Sequence, residues 1–238
     1  MLVEFPGTDH RLLDNAVWHA LGGPDARMAE ANDGARRYLH DVSSFAAIDE
    51  PTPAAWDALG RLVGPGGVAV LFRVGAGEPP EGWKVLQRGM GHQMIAGTMA
   101  TTATFPIRAL TEADVPRMLA LVELTKPGPF LPRTICLGGY HGVFEGDELI
   151  AMAGERMHPP GYTEISAVCT RPAARGRGLA AALTAHVATG VRARGEQPFL
   201  HVAQDNHCAR RVYERLGFTT RTMTEVIVAR PPRPGSPS

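Results

Sequence analysis

The sequence predicts an α+β fold: a mixed, mostly antiparallel sheet flanked by helices, preceded by a smaller α/β unit. Three observations lead there. The second half alternates segments in the order strand, helix, three strands, helix, strand, helix, strand. A glycine-rich loop, Arg175-Gly-Arg-Gly178-Leu-Ala180, joins one of those strands directly to an amphipathic helix. The 238 residues, 44% of them hydrophobic, can bury the core of one large domain or two modest ones.

In the first half, Leu12, Leu13, Ala16, Val17, Ala20 and Leu21 recur at helical spacing and stop at Gly22-Gly23-Pro24. Thr52-Pro53 reads as the cap and first turn of a helix through Trp56, Leu59 and Leu62, ended by Gly64. Residues 68–74 form a short apolar run, read as a buried strand, and 83–87 and 92–95 read as two more. Gly64-Pro-Gly-Gly67 has the composition of a phosphate loop. It follows a helix and precedes a strand, the wrong order for an anion site at a helix N-terminus, so it is read as a turn. The small-residue stretch 97–104 marks a boundary. It divides an N-terminal unit (1–98) from a main domain (106–230), and the proline-rich segment 231–238 is expected to be a disordered tail.

In the main domain, residues 107–110 read as a strand, and Thr111-x-x-Asp114 as a capping box before the helical face of Val115, Met118, Leu119 and Val122. Residues 140–144 and 149–156 flank Glu145-Gly-Asp-Glu148, a hairpin signal, and 162–170 is a further strand. Leu179, Leu183, Val187 and Val191 make one helix face, 199–202 a strand, and Ala209, Val212, Tyr213 and Leu216 the next helix face, with Gly217 as its C-terminal cap. Residues 222–229 are the last strand.

The loop before Leu179 carries the chemistry. A glycine-rich turn opening into a helix presents backbone N–H groups at a terminus where the helix dipole already favours anions. Nearby arginines add charge, and the arrangement suits a pyrophosphate. Composition narrows the rest. Lys plus Arg and Asp plus Glu balance at 24 each, which argues against generic nucleic-acid binding. Three widely spaced cysteines, Cys136, Cys169 and Cys208, fit a reducing compartment without a disulfide framework. No signal peptide and no apolar run of membrane-spanning length is read, so a cytoplasmic location without membrane partners is expected. His201 and His207 have no metal-ligand spacing around them, and no metal is expected.

Two blocks together, Arg175-x-x-Gly178-x-Ala180 and Asn206-x-x-Ala209-x-x-x-Tyr213-x-x-x-Gly217-Phe218, resemble the GNAT superfamily of acyl-CoA-dependent N-acyltransferases, with the match strongest over residues 107–229. The resemblance implies acetyl-CoA as acyl donor and a primary amine, on a small molecule or a peptide, as acceptor. It implies that the backbone of Arg175, Gly176, Arg177, Gly178, Leu179 and Ala180 holds the pyrophosphate. Ala167, Val168 and Cys169 would run beside pantetheine like an added strand, and Asn206 would approach the cofactor. Tyr213 would protonate the departing thiolate, and Glu164, 11 residues before Arg175, is the candidate base.

Other readings stand beside these. Glu164 is alternatively a structural carboxylate paired with an arginine, with an ordered water as base; Glu155 and His201 are second choices. Asn206 serves equally as a helix cap, and Tyr213 as a core aromatic. Residues 125–130 with Arg133 either wall the acceptor site or form a rigid turn. The first half is read as a degenerate partial copy of the same fold without its own cofactor loop. A non-catalytic acyl-CoA sensor or scaffold is the alternative function. A nucleic-acid surface of Arg171, Arg175, Arg177, Arg192 and Arg194 is a third reading. The sequence does not identify the acceptor or the oligomeric state.

Overall fold

The computed structural model describes residues 9–232. Most of the expected tail, residues 233–238, lies outside the described residues; its first residue, Pro231, is buried beside Gly60. The chain forms one 11-stranded sheet in the order β1-β2-β3-β4-β11-β5-β10-β9-β8-β7-β6.

The first half supplies α1 (Ala16–Leu21), β1 (Ala29–Asn32), β2 (Ala35–Tyr38), β3 (Phe45–Ile48), α2 (Pro53–Val63), β4 (Ala69–Arg73) and β5 (Lys84–Ala96). The second supplies β6 (Ile107–Ala109), α3 (Val115–Thr125), β7 (Tyr140–Glu145), β8 (Glu148–Glu155), β9 (Tyr162–Thr170), α4 (Leu179–Ala193), β10 (Gln197–Ala203), α5 (His207–Arg215) and β11 (Phe218–Arg230). The element order of the second half is the expected one. In the first half, the apolar face beginning at Leu12 starts as a 3-10 turn (His10–Asn15) and becomes α-helical at Ala16. The two strands expected at 83–95 are one 13-residue strand. The glycines inside β5 do not break it; at Gly91 a Cβ would sit 3.2 Å from the Val202 carbonyl oxygen, so the small residue admits a close neighbour.

Two strand pairs are parallel, β3–β4 and β9–β10, and each is bridged by one helix, α2 or α4. The halves exchange their last strands. β5 lies between β10 and β11, and β11 lies between β4 and β5. Their antiparallel register runs from Phe218↔Ala96 to Arg230↔Lys84. The boundary expected near residues 98–106 falls in the connection between β5 and β6, and the sheet continues across it.

Strand alternation sorts the core. Leu200 and Val202 of β10 point to α4 and α5, joining Leu179, Leu183, Val187, Val191 and Tyr213. Phe199 of the same strand points the other way, to a cluster with Leu13, Val17, Tyr38, Phe45 and Phe72. Met118 and Leu121 of α3 cover Tyr140, Met152 and Cys169. Trp56 and Leu59 of α2 pack on Leu71, Ile227 and Ala229. Helix α3 begins at the expected capping box, in which Asp114 Oδ2 accepts from the Thr111 amide.

Candidate active site

The site is built where β9 and β10 part. Their parallel pairing covers Gln197↔Tyr162, Pro198↔Thr163 and Phe199↔Glu164 and then ends. Just beyond, β9 carries a bulge against β8: Met152 pairs with Cys169 and Gly154 with Ser166, so Ala167 and Val168 face the single residue Ala153. Ala167 has φ 51°, the left-handed region, which an alanine adopts only where its surroundings enforce it. The bulge leaves the backbone of Ala167 and Val168 out of the regular ladder at the mouth of the parting strands.

The chain then turns through Pro172–Ala174 into the glycine loop. Gly176 (φ 79°) and Gly178 (φ 87°) are both left-handed. An added Cβ would meet nothing within 4 Å at either, so glycine is required there by backbone conformation rather than by crowding. The amide of Ala182 donates to the carbonyl of Gly178, and no side chain caps the helix. The amides of Leu179, Ala180 and Ala181 therefore precede the helical ladder at the positive end of a 15-residue helix. Leu179 is buried and anchors this terminus in the core.

The arginines around the loop are engaged. Arg177 pairs with Glu145 at 2.6 Å and Arg171 with Glu148, so the acidic β7–β8 turn lies against the loop. Arg175 Nε donates to the Thr170 carbonyl, Arg192 to the carbonyls of Ala96 and Gly97, and Arg194 pairs with Glu155 and Glu196. The five arginines of the nucleic-acid reading are thus each bonded within the chain.

Helix α5 brings the second block to the same place. Asn206 is its N-cap, with Oδ1 accepting from the Ala209 amide at 3.1 Å. Tyr213 is 7% exposed and its ring packs edge-on to Phe218. Burial, and then the neighbouring Cys169 thiol, raise its pKa, so the phenol keeps its proton. Burial likewise pushes Cys169 up to about 11, which leaves it a thiol rather than a nucleophilic thiolate. Gly217 has φ 96°, and a Cβ there would collide with the Thr98 carbonyl.

Glu164 is drawn into a different company. It is fully buried and accepts from Arg156 Nε and Nη2, both at 2.7 Å, and from His201 Nδ1 at 2.7 Å. Gln93 Nε2 donates to His201 Nε2 at 3.1 Å, which assigns the ring proton to Nδ1. Arg221 Nε donates to Gln93 Oε1 at 2.6 Å, and Arg221 pairs with Asp14. This row takes one side chain from each of β11, β5, β10 and β9, then Arg156 just past β8. Burial opposes the charge on Glu164, but the Arg156 charge and the bonds from His201 and Arg156 hold its pKa down at about 2. His201 is pushed down by burial and stays neutral. Glu155 pairs with Arg194 and His158.

Tyr213 shares one core with Leu179 and Val168 and lies beside Cys169, while Glu164 belongs to the buried polar row. Sequence reasoning missed Arg156, Gln93 and Arg221. The available signal was the adjacent charged pair Glu155-Arg156 at the end of an apolar run. Among the described residues, no group of three or more His, Cys, Asp or Glu is placed to hold a metal. No helix among them is long and apolar enough to cross a membrane.

Comparison with known proteins matches this architecture. The family model described as FR47-like protein matches residues 140–227, which include β9, the glycine loop, α4, β10 and α5. A crystal structure of a protein assigned to the GNAT family of acetyltransferases, from Novosphingobium aromaticivorans DSM 12444, is 40% identical. It covers 94% of this chain and 99% of its own, with a TM-score of 0.85. A GCN5-related N-acetyltransferase from Kribbella flavida shares the fold at 20% identity, covering 97% of both chains with a TM-score of 0.60. The mycothiol acetyltransferase of Streptomyces scabiei (strain 87.22) is 38% identical over 84 residues, which are 34% of this chain and 27% of that protein. The chain thus spans about a quarter of the curated relative that it matches. At 40% identity over nearly the whole of both chains, the relation to the first of these is one of family as well as fold, and this chain belongs to the GNAT family of acetyltransferases.

Proposed function

We propose that this protein is an acetyl-CoA-dependent N-acetyltransferase that moves the acetyl group directly to a primary amine of a small molecule or peptide. One observation carries the reading. The uncapped N-terminus of α4 lies behind two left-handed glycines, next to the point where β9 and β10 separate. Backbone amides of residues 175–180 would bind the pyrophosphate there, and Ala167–Cys169 would line pantetheine. Bound acetyl-CoA supplies an acetyl group already activated as a thioester. Tyr213, which burial keeps protonated, would donate its proton to the departing sulfur. The acceptor must be a neutral amine. We assign its proton to water, because Glu164, with a pKa of about 2, has little affinity for one. Glu164 instead contributes a fixed negative charge in the buried polar row.

We also infer that the first half is a degenerate, strand-exchanged copy of the second. The segment β3–α2–β4 mirrors β9–α4–β10 across the β11–β5 pair, which supports this. Its own divergence is bridged: Arg73 bonds the carbonyls of Ile48 and Asp49, and Asn15 bonds that of Ile48. One cosubstrate per chain is therefore expected.

Calorimetric titration with acetyl-CoA, with dephosphorylated pantetheine as control, tests the site. The expected result is one site per chain, lost in the control. An amine screen on the binding-competent protein then separates a transferase from a sensor. Absence of binding at millimolar acetyl-CoA would overturn both.

A further inference from the structure

One buried hydroxyl has no role in the reading above. Tyr140 opens β7 and is 2% exposed, and among the described residues its hydroxyl has no hydrogen-bond partner. An unpaired buried hydroxyl is destabilising, and phenylalanine would fill the same space without that cost. Packing alone does not account for tyrosine here.

Strand pairing sets it in one row with Gly154 and Ser166, two residues along β9 from Glu164. Tyr140 pairs across β8 with Gly154, where a Cβ would collide with the phenol ring; the missing side chain is what makes room for it. The next residue in that row is Ser166 of β9, immediately before the left-handed Ala167. Burial raises the hydroxyl's pKa, and it also feels the charges of Arg156, Glu164 and Glu155. Phe130, from the segment after α3, packs edge-on against the ring with centroids 5.5 Å apart.

We propose that Tyr140 is an acceptor-positioning residue, whose hydroxyl oxygen accepts a hydrogen bond from the acceptor's amino group beside Glu164. The bond fixes the direction of the nitrogen lone pair toward the thioester. This assignment rests on the amine-acetylation reading. It makes the unpaired hydroxyl a binding group that is satisfied only when the acceptor is present.

The test compares Tyr140→Phe with the parent protein. Three quantities are measured: the unfolding midpoint, the acetyl-CoA dissociation constant, and initial rates with whichever of n-butylamine, tryptamine, spermidine and glucosamine the parent acetylates fastest. The midpoint should be unchanged or raised and acetyl-CoA affinity unchanged. The kcat/KM for the amine should fall about tenfold, the loss of one hydrogen bond, mainly through KM. A lowered midpoint would mark the hydroxyl as structural and overturn the assignment, as would an unchanged kcat/KM in an active parent. A parent that binds acetyl-CoA but acetylates none of the four amines would remove the amine-transfer reading itself, and with it the role of Tyr140.

Discussion

Glu164→Gln separates chemical from electrostatic duty in the buried polar row. The carboxylate is fully buried and its side chain meets an Arg156 side chain only 11% exposed. Removing one partner of such a pair leaves an uncompensated buried charge, at a cost of about 3–5 kcal/mol. Glutamine keeps one acceptor oxygen, so the lower end is expected. For a chain of this size about 3 kcal/mol lowers Tm by about 6–12 °C. The effect on chemistry should be of another kind. At a pKa of about 2 the native carboxylate is ionised by roughly ten thousand to one at pH 6, so it contributes no limb to a rate profile between about pH 6 and 9. The variant, assayed below its own melting range with the acceptor found by screening, should keep the shape of the parent's pH profile. Its kcat should fall by no more than about tenfold, the share expected of a nearby charge rather than a proton acceptor. A variant that melts within about 2 °C of the parent but loses a hundredfold or more in kcat would refute this reasoning and make Glu164 the base.

Tyr213→Phe should lower kcat by about a hundredfold and leave the acetyl-CoA dissociation constant within about twofold, since only the leaving sulfur loses its proton donor; turnover equal to the parent's would remove Tyr213 from the mechanism. Gly178→Ala forces a Cβ into a φ of 87°, at a cost of about 1–2 kcal/mol or a re-aimed helix terminus, and should weaken acetyl-CoA binding about tenfold in the same titration. Unchanged affinity would show that these amides do not hold the phosphates. His158 lies between Asp25 and Glu155, which are themselves bonded by Tyr38 and Arg194. Burial opposes its charge, but the bonds to Asp25 and Glu155 raise its pKa to about 9. A pKa raised from about 6.5 stabilises the fold fully below that pH, by about 3 kcal/mol, and the gain is lost as pH rises through about 9. Urea unfolding of parent and His158→Gln should therefore diverge most at about pH 6 and converge by about pH 10; a pH-independent difference would contradict the linkage.

The legible parts of this protein were those whose constraint is local. Gly176, Gly178 and Gly217 sit at positive φ beside a helix end, and such positions leave a glycine in the sequence at a fixed offset from the helix face. The capping box at Thr111 is local in the same sense. β1, β2 and β3 left no mark because they are four residues each, and their alternation is either too short or, in Phe45–Ile48, absent because every residue is buried. Glu164 was legible as a position and not as an environment. Its partners come from another strand and another connection, and the fold alone sets Arg156 and His201 around it. Tyr140 read as an ordinary strand residue for a similar reason, since the gap that admits its ring is a glycine on the neighbouring strand.

The strand exchange ties the first half to the surroundings of Glu164. β10 pairs with β9 on one edge, and along the other, from Phe199 to Ala203, it is held by β5 of the first half. The polar row follows the same route: Asp14 and Gln93 belong to the first half, and through Arg221 and His201 they reach Glu164. Each donor in that row is already assigned an acceptor, so a change at one end unsettles the orientation of the next group and does not stay local. Phe72 of β4 stacks edge-on to His201 with centroids 4.1 Å apart, and Arg156 lies over the ring of Phe45. The first half therefore covers the His201 and Arg156 side of the Glu164 pair. It also contributes β5 and the Asp14–Gln93 end of the row to the setting of Glu164.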